Sequence, residues 1–401
     1  MGADAKSVSG KLRVLHVIPS VSPVHGGPSK AMVTMERALA AAGVCVTTAT
    51  TDDDGPGRRL GLFQGARGAS GATRFYARKW LDFYKVAPGI IPSLWRNLPT
   101  FDVVHIHALF SFTSVAACLL ARLRRVPYVV RPLGTLASYG VANRRPWLKK
   151  LSLRLIEGPI LRHAAAVHFT SQAEWDEAAA LGIPVRGRVI PLGVERSSLE
   201  LWYPVRVLGE LQGRRGVLYL GRLDPIKNLE GLLHAAAQID WGAAGAALLI
   251  AGDGTSTYVA ELKRLGAALG LEDHILFLGY VEGARKAEVL AAASLFVLPS
   301  FSENFGIAVA EALLSGLPCV LGEGVGIAPQ AKAAGAALVV SPHPDDIARS
   351  ITILLEDDTK RRDMAVNAKR FAKREYSTAV MAERLIAMYR DVADSAAKAA
   401  T

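Results

Sequence analysis

Cysteine is scarce: the 401-residue chain has three, Cys45, Cys118 and Cys319, each alone in an apolar run. They form neither a disulfide framework nor a zinc cluster, and a reducing compartment is expected. Long apolar runs are missing too. Hydrophobic residues make up 51% of the chain and mean hydropathy is +0.24, yet no stretch reaches the roughly 18 uninterrupted apolar residues of a membrane span. The surplus comes from Ala-rich helices and short strands. The first eleven residues are polar with no apolar centre and are not expected to act as a secretory signal. Lys6 stands where an N-myristoylation signal wants Ser or Thr. No repeat of fixed period is present, which excludes a solenoid. Acidic residues are few in one half only. Residues 1–200 hold 13 Asp and Glu against 26 Lys and Arg, whereas residues 201–401 hold 23 against 21. The formal net charge of +11 therefore belongs to the first half, and the two halves are expected to meet different partners.

A chain of this length holds about two domains, and the pattern supplies two. LRVLHVI (12–18) reads as a buried strand, followed by a Gly-containing loop, an Ala-rich helix over about 29–42 ended by Gly43, and the strand VCVTTAT (44–50). That is the opening unit of a doubly wound parallel sheet. Further strands are expected at 101–108, 126–132, 165–171 and 188–194, with a helix over 112–124. Residues 195–213 lack a period and read as a linker. The pattern restarts with strands at 216–222, 247–252, 275–279, 294–300 and 318–322, alternating with helices, and a helical segment closes the chain over about 359–396. The expected fold class is α/β, with two doubly wound Rossmann-like domains, 1–194 and 214–377, facing a central cleft. Open sheets of this kind bind ligands at the carboxyl ends of their strands.

The richest segment is SFSENFGIAVAE, residues 300–311. Glu303 lies in the loop after a strand and Glu311 in the following helix, eight residues on, or about 12 Å at helical rise. That spacing suits gripping two ends of an extended ligand. The amides of Phe305, Gly306 and Ile307 open the helix, where free N–H groups and the dipole favour an anion. Asn304 lies in the same loop. Arg222 and Lys227 sit at the end of the domain's first strand, on the same edge, and two cations there can neutralise a diphosphate. A diphosphate flanked by carboxylates that accept from hydroxyls describes a nucleotide-sugar site. An acidic loop before an ordinary helix, and solvated surface cations, are the structural alternatives.

On these residues the chain resembles the retaining glycosyltransferases of family 4, with the GT-B fold, over nearly its whole length. The motifs are E-x7-E (Glu303 and Glu311), G-R-L-x-x-x-K (Gly221 to Lys227), A-G-D-G (251–254, with Gly252), F-L-G-Y-V (277–281) and an opening P-x-x-G-G loop (Pro23, Gly26, Gly27). The resemblance implies a nucleotide-sugar donor, a UDP- or GDP-sugar, bound by the second half. It implies that Arg222 and Lys227 hold the diphosphate, Glu311 the ribose and Glu303 the transferred sugar. The backbone of Tyr280 and Val281 borders the base, the Gly26–Gly27 loop closes over the phosphates, and the C-terminal helix, about 378–401, crosses back to the first domain. It implies a retaining, metal-independent hexosyltransferase with no cofactor beyond its co-substrate. The segment Arg131–Pro132–Leu133–Gly134 departs from the family, placing Leu133 where many members carry His. This puts the usual contact to the donor sugar in doubt.

His105 and His107 are read as pointing to opposite faces of their strand, with His107, nearer the carboxyl end, as an acceptor-side candidate. Asp52–Asp53–Asp54 reads as a solvated turn rather than a metal site. Two basic stretches rich in aromatics, 78–96 and 144–156, remain. In the second, Trp147, Leu148, Leu151 and Leu155 fall near one helical face among Arg144, Arg145, Lys149, Lys150 and Arg154. That reads as an interfacial element on an anionic membrane, with core packing under a wet basic face as the alternative. The expected acceptor is a saccharide linked to polyprenyl diphosphate, in cell-surface polysaccharide or glycoconjugate synthesis. The expected location is the cytoplasm, with peripheral contact at the inner face of the plasma membrane. Nucleic acid is not expected, since no recognised binding motif accompanies the charge. Two other readings stay open: a sugar-nucleotide epimerase or hydrolase of the same fold, and a non-catalytic partner subunit.

Overall fold

Runs of β-branched and aliphatic residues separated by Ala-rich helical periods become parallel strands joined by crossover helices. A computed structural model describes residues 11–61, 71–136, 147, 151–195 and 209–400. It divides into two compact units, Met1–Gly193 with Thr378–Thr401, and Val194–Ser377. Most of the expected linker, residues 196–208, lies outside the described residues.

Among the described residues the first unit holds seven strands: β1 (Arg13–Val17), β2 (Cys45–Thr51), β3 (Thr73–Ala77), β4 (Val103–His107), β5 (Tyr128–Arg131), β6 (Ala166–Phe169) and β7 (Gly187–Val189). All pair parallel, in the order β3-β2-β1-β4-β5-β6-β7. Its two faces differ. Leu15, Val17, Ala49, Val104, Ile106, Val130, Val167 and Phe169 point one way, into a core shared with Leu94, Leu98, Ala117, Cys118 and Ala121. The opposite face carries His16, Thr48, Thr50, His105, His107, Arg131 and His168, all buried. Parallel strands covered on both faces are usually apolar throughout, so this polar layer is a departure. The helices Gly27–Ala41 and Thr378–Ala400 supply its partners: Thr48 Oγ1 donates to Glu36 at 2.6 Å, and Tyr389 Oη bonds His105 Nδ1 at 2.7 Å.

The second unit holds β8 (Arg215–Leu220), β9 (Ala246–Ala251), β10 (Ile275–Gly279), β11 (Ala293–Leu298), β12 (Cys319–Gly322) and β13 (Ala337–Val340). They form a parallel sheet ordered β10-β9-β8-β11-β12-β13. Strand order reverses between β8 and β11, and the crevice beyond their carboxyl ends is where such sheets take ligands.

Sequence pattern does not reveal β3 or β13. β13 is four residues in Ala-rich surroundings that read as helix, and β3 is a short edge strand. The final helical segment is two helices, Asp358–Glu375 and Thr378–Ala400, interrupted at Tyr376–Ser377. Tyr376 is wedged edge-on between Phe305 and Phe371, with ring centroids at 5.5 and 5.2 Å. The break falls where the chain leaves the second unit for the first.

Candidate functional site

The loops beyond β8 and β11 are stitched together by the chain itself. Tyr219 Oη donates to the Arg222 carbonyl at 2.8 Å. Asp224 caps a short turn by accepting from the Ile226 amide at 3.1 Å. The Ile226 carbonyl accepts from Ser300 Oγ at 3.0 Å and from the Phe301 amide at 2.9 Å. This tie sets Lys227 beside the loop of Glu303, whose backbone is fixed in turn by Glu303 N to Gly324 O, 2.8 Å, and Gly326 N to Glu303 O, 2.7 Å. Lys227 Nζ and the Glu303 carboxylate then form an ion pair, with both side chains largely buried.

Gly252 belongs to this crossing. Its φ is +151°, and a Cβ there would lie 1.8 Å from the Gly221 carbonyl oxygen, so only glycine lets the two loops pass. Gly306 is left-handed (φ +87°) and no side chain caps the helix Ile307–Leu314 that it starts. The first backbone bond there is Ala310 N to Gly306 O, 3.1 Å, which leaves the preceding amides open to an anion. Phe305 points inward, 3% exposed, so its contribution to such a site is its amide.

Glu311 stands one turn into that helix and is also partnered. Lys286 Nζ, from the helix Gly283–Ala292, lies 2.5 Å from Glu311 Oε1. Sequence reasoning missed Lys286, because a lone lysine in an amphipathic helix gives no signal of its own. Arg222 is mostly exposed and, among the described residues, its guanidinium pairs with Asp224 at 3.5 Å. Tyr280 is exposed, its hydroxyl donating to Glu282 Oε2 at 2.9 Å, while Val281 is buried.

The first unit revises three expectations. Residues two apart on a strand share a face, so His105 and His107 lie together, their ring centroids 4.2 Å apart. His107 is fully buried and bonded through Nε2 to His16 Nδ1 at 2.8 Å, which argues against the expected acceptor-side role. Burial, with Arg131 and neighbouring rings adding to it, holds His105 and His107 well below the usual imidazole range, His16 at about 4 and His168 at about 3. Burial also lowers Arg131, to about 10. Ring nitrogens of His16, His105 and His107 lie within 4.8 Å of one another, but the neighbouring Arg131 guanidinium opposes a cation there. Asp53 is no solvated turn. It is fully buried and takes Lys79 Nζ at 2.5 Å, Lys85 Nζ at 2.9 Å and His25 Nε2 at 2.8 Å. The lysines hold its carboxyl below the ordinary range against the burial that would raise it. This hub anchors the turn before Gly26 (φ +66°) and Gly27, which begins a helix without a side-chain cap. Leu133 is left-handed too, at φ +60°.

Of the 144–156 stretch, Arg144, Arg145, Leu148, Lys149 and Lys150 lie outside the described residues. Trp147, Leu151, Leu155 and Ile156 are exposed, as are Trp80, Leu81 and Phe83. The two groups belong to segments joined by Tyr84 Oη to Glu157 Oε1 at 2.8 Å. Among the described residues no helix is long and apolar enough to cross a membrane.

Two family models match the chain: glycosyl transferases group 1 over residues 206–371, and a glycosyl transferase 4-like domain over residues 26–193. The α-D-kanosaminyltransferase of Streptomyces kanamyceticus is 29% identical over 183 residues, 45% of this chain and 47% of that protein. A D-inositol 3-phosphate glycosyltransferase of Corynebacterium glutamicum is 27% identical over 328 residues, 76% of this chain and 75% of that protein. The match thus spans about half the length of the first relative and three quarters of the second. The structure of HepE from Anabaena, in complex with UDP and glucose, has the same fold, with a TM-score of 0.75 at 18% identity, covering 94% of this chain and 98% of that one.

Proposed function

Since the chain belongs to the group 1, family 4-like glycosyltransferases and has their GT-B fold, we propose that it transfers a hexose-type sugar, with retention, from a UDP- or GDP-sugar to a saccharide acceptor. The observation that carries this reading is the convergence at one sheet edge of Lys227, Glu303, an uncapped helix start and Glu311. In this reading the diphosphate lies on the amides ahead of Ile307 and draws Lys227 off Glu303. A phosphate is the better partner for an ammonium already committed to that edge, and the freed Glu303 carboxylate accepts from a sugar hydroxyl. As the C1–O bond to the diphosphate breaks, charge grows on the leaving oxygen, and Lys227, Arg222 and the helix dipole stabilise it. The anomeric centre develops oxocarbenium character. The acceptor hydroxyl attacks from the leaving-group side and gives its proton to the departing phosphate. Fixed cations take the place of a metal ion.

A UDP donor is supported by the fold neighbour that holds UDP and glucose. A lipid-linked acceptor at an anionic membrane is supported by the surplus of Lys and Arg in the first half and by the exposed Trp80, Phe83, Trp147 and Leu155 of that unit. Binding of a ligand to the native state raises the melting temperature by mass action. A thermal-shift screen across UDP- and GDP-sugars, followed by turnover with and without polyprenyl-diphosphate-linked saccharides, tests the proposal. Consumption of donor without acceptor, giving an epimer or a free sugar, would favour the epimerase or hydrolase reading. No response to any donor would favour a non-catalytic subunit.

A further inference from the structure

We propose that Lys286 is a positioning residue for nucleoside recognition: it fixes the Glu311 carboxylate so that one oxygen is presented to the vicinal diol of a ribose. The inference rests on the reading of this edge as a nucleotide-sugar site and goes beyond it by adding a residue with a separate task. Lys286 Nζ engages Oε1 of Glu311 at 2.5 Å. The other oxygen, Oε2, makes no hydrogen bond among the described residues. The two side chains are 20% and 18% exposed, enough shelter to hold one geometry and enough opening to admit a ligand. The adjacent Arg285 does not compete for Glu311, since it is committed to Glu288 at 3.1 Å and Glu210 at 3.7 Å.

Charge gives the second reason. Glu303 and Glu311 place two carboxylates close to where a diphosphate would sit, and each would repel it. Each is matched by one lysine, but the two pairs are not equivalent. Lys227 is on the phosphate edge and is the lysine a diphosphate would recruit. Lys286 projects from the helix after the Gly279–Gly283 turn, so it stays on Glu311 when the ligand arrives. It keeps that carboxylate neutralised and holds its side-chain torsions, which lowers the ordering cost of accepting two hydroxyls.

The test is calorimetric binding of UDP and GDP, and of their 2′-deoxy counterparts, to the full chain. The proteins are wild type, Lys286→Met, Lys286→Arg and Lys227→Ala. Wild type is expected to bind one ribonucleotide at least tenfold more tightly than its 2′-deoxy form. Lys286→Met is expected to lose most of that discrimination, weakening the ribonucleotide about tenfold more than the 2′-deoxy form, which feels only the uncompensated Glu311 charge, and Lys286→Arg to restore it. Lys227→Ala is expected to weaken both forms alike. Equal weakening of both forms by Lys286→Met, or none, assigns Lys286 a structural role only and overturns the proposal. If wild type binds neither UDP nor GDP, the nucleotide-sugar reading falls and this inference with it. The unfolding midpoint of Lys286→Met, compared with wild type, separates loss of fold from loss of discrimination.

Discussion

Tyr389 and His105 stand 284 residues apart in sequence and 2.7 Å apart in space, phenol oxygen to Nδ1, both fully buried. The bond docks the last helix of the chain onto the polar face of the first unit's sheet, and burial raises the Tyr389 hydroxyl well above the ordinary phenol range, so it stays protonated. Tyr389→Phe keeps the ring and leaves His105 Nδ1 without its partner. The expected loss is about 1–3 kcal/mol, measured as a fall in the urea midpoint of the first unfolding transition. An unchanged midpoint would mean that the hydrogen bond contributes nothing net.

The same face makes stability depend on acid. His16, His105, His107 and His168 all have folded-state pKa values depressed by burial, to about 4 for His16 and about 3 for His168. Glu36 and the Arg131 guanidinium are charged groups facing them. Unfolding returns these imidazoles to about 6.5, so below that pH the unfolded chain binds more protons than the native one. Their contribution is complete above pH ~6.5 and is lost as pH falls toward about 4 and then about 3. The expected result is a urea midpoint flat near pH 7–8 that declines steeply below about pH 6. His168→Gln should lessen the slope by roughly one proton. A slope the same in wild type and variant would assign the acid sensitivity elsewhere.

Gly252 offers a test of packing at the candidate site. Gly252→Ala places a methyl carbon 1.8 Å from a backbone oxygen, and neither loop can yield without moving Arg222. A loss of about 3 kcal/mol or more is expected, as for overpacking combined with backbone strain, together with loss of UDP or GDP binding. Gly242→Ala, whose new Cβ would meet only Asp240 Oδ1 at 3.5 Å, is the control and should change the melting temperature little.

Within the first unit, Trp80, Leu81 and Phe83 expose apolar surface in one segment, as do Trp147, Leu151, Leu155 and Ile156 in another. If these meet a bilayer, the protein sediments with anionic vesicles at low salt, salt weakens the association, and Trp80→Ser with Phe83→Ser reduces it several-fold. Failure to sediment with phosphatidylglycerol vesicles at low salt would remove the membrane from the proposal.

What the sequence made legible follows from how local each signal is. The strand–loop–helix alternation, the Gly-rich turns and the pair Glu303 and Glu311 are written in contiguous residues, and they locate the carboxyl edge of the second sheet. The polar layer of the first sheet is not contiguous: His16, His105, His168 and Tyr389 come from four distant segments, and each alone reads as an ordinary residue. His107 is a different case: the two-residue period of its strand puts it on the same buried face as His105. Asp53 looked solvated because its run is acidic. Lys79, Lys85 and His25, which make burial tolerable, lie 26 to 32 residues away. Lys286 was hidden because its partner is 25 residues on.

The ion pair of Lys227 with Glu303 makes opposite expectations for its two members. Removing the cation with Lys227→Ala deletes a phosphate ligand and leaves a largely buried carboxylate facing the diphosphate, so UDP or GDP binding should weaken strongly and transfer fall at least about 100-fold, roughly 2.7 kcal/mol of transition-state stabilisation. Neutralising the anion with Glu303→Gln removes the competitor for Lys227 and a repulsive charge. Nucleoside diphosphate binding should then hold or tighten, while transfer drops because the sugar has lost its acceptor of hydrogen bonds. Calorimetry with UDP and GDP and turnover of whichever sugar nucleotide is bound give the two readouts. Near-normal transfer by Lys227→Ala would remove the phosphate clamp from the mechanism. Parallel losses of nucleoside diphosphate binding in both variants would mean that the pair is a structural bolt whose two halves are needed together.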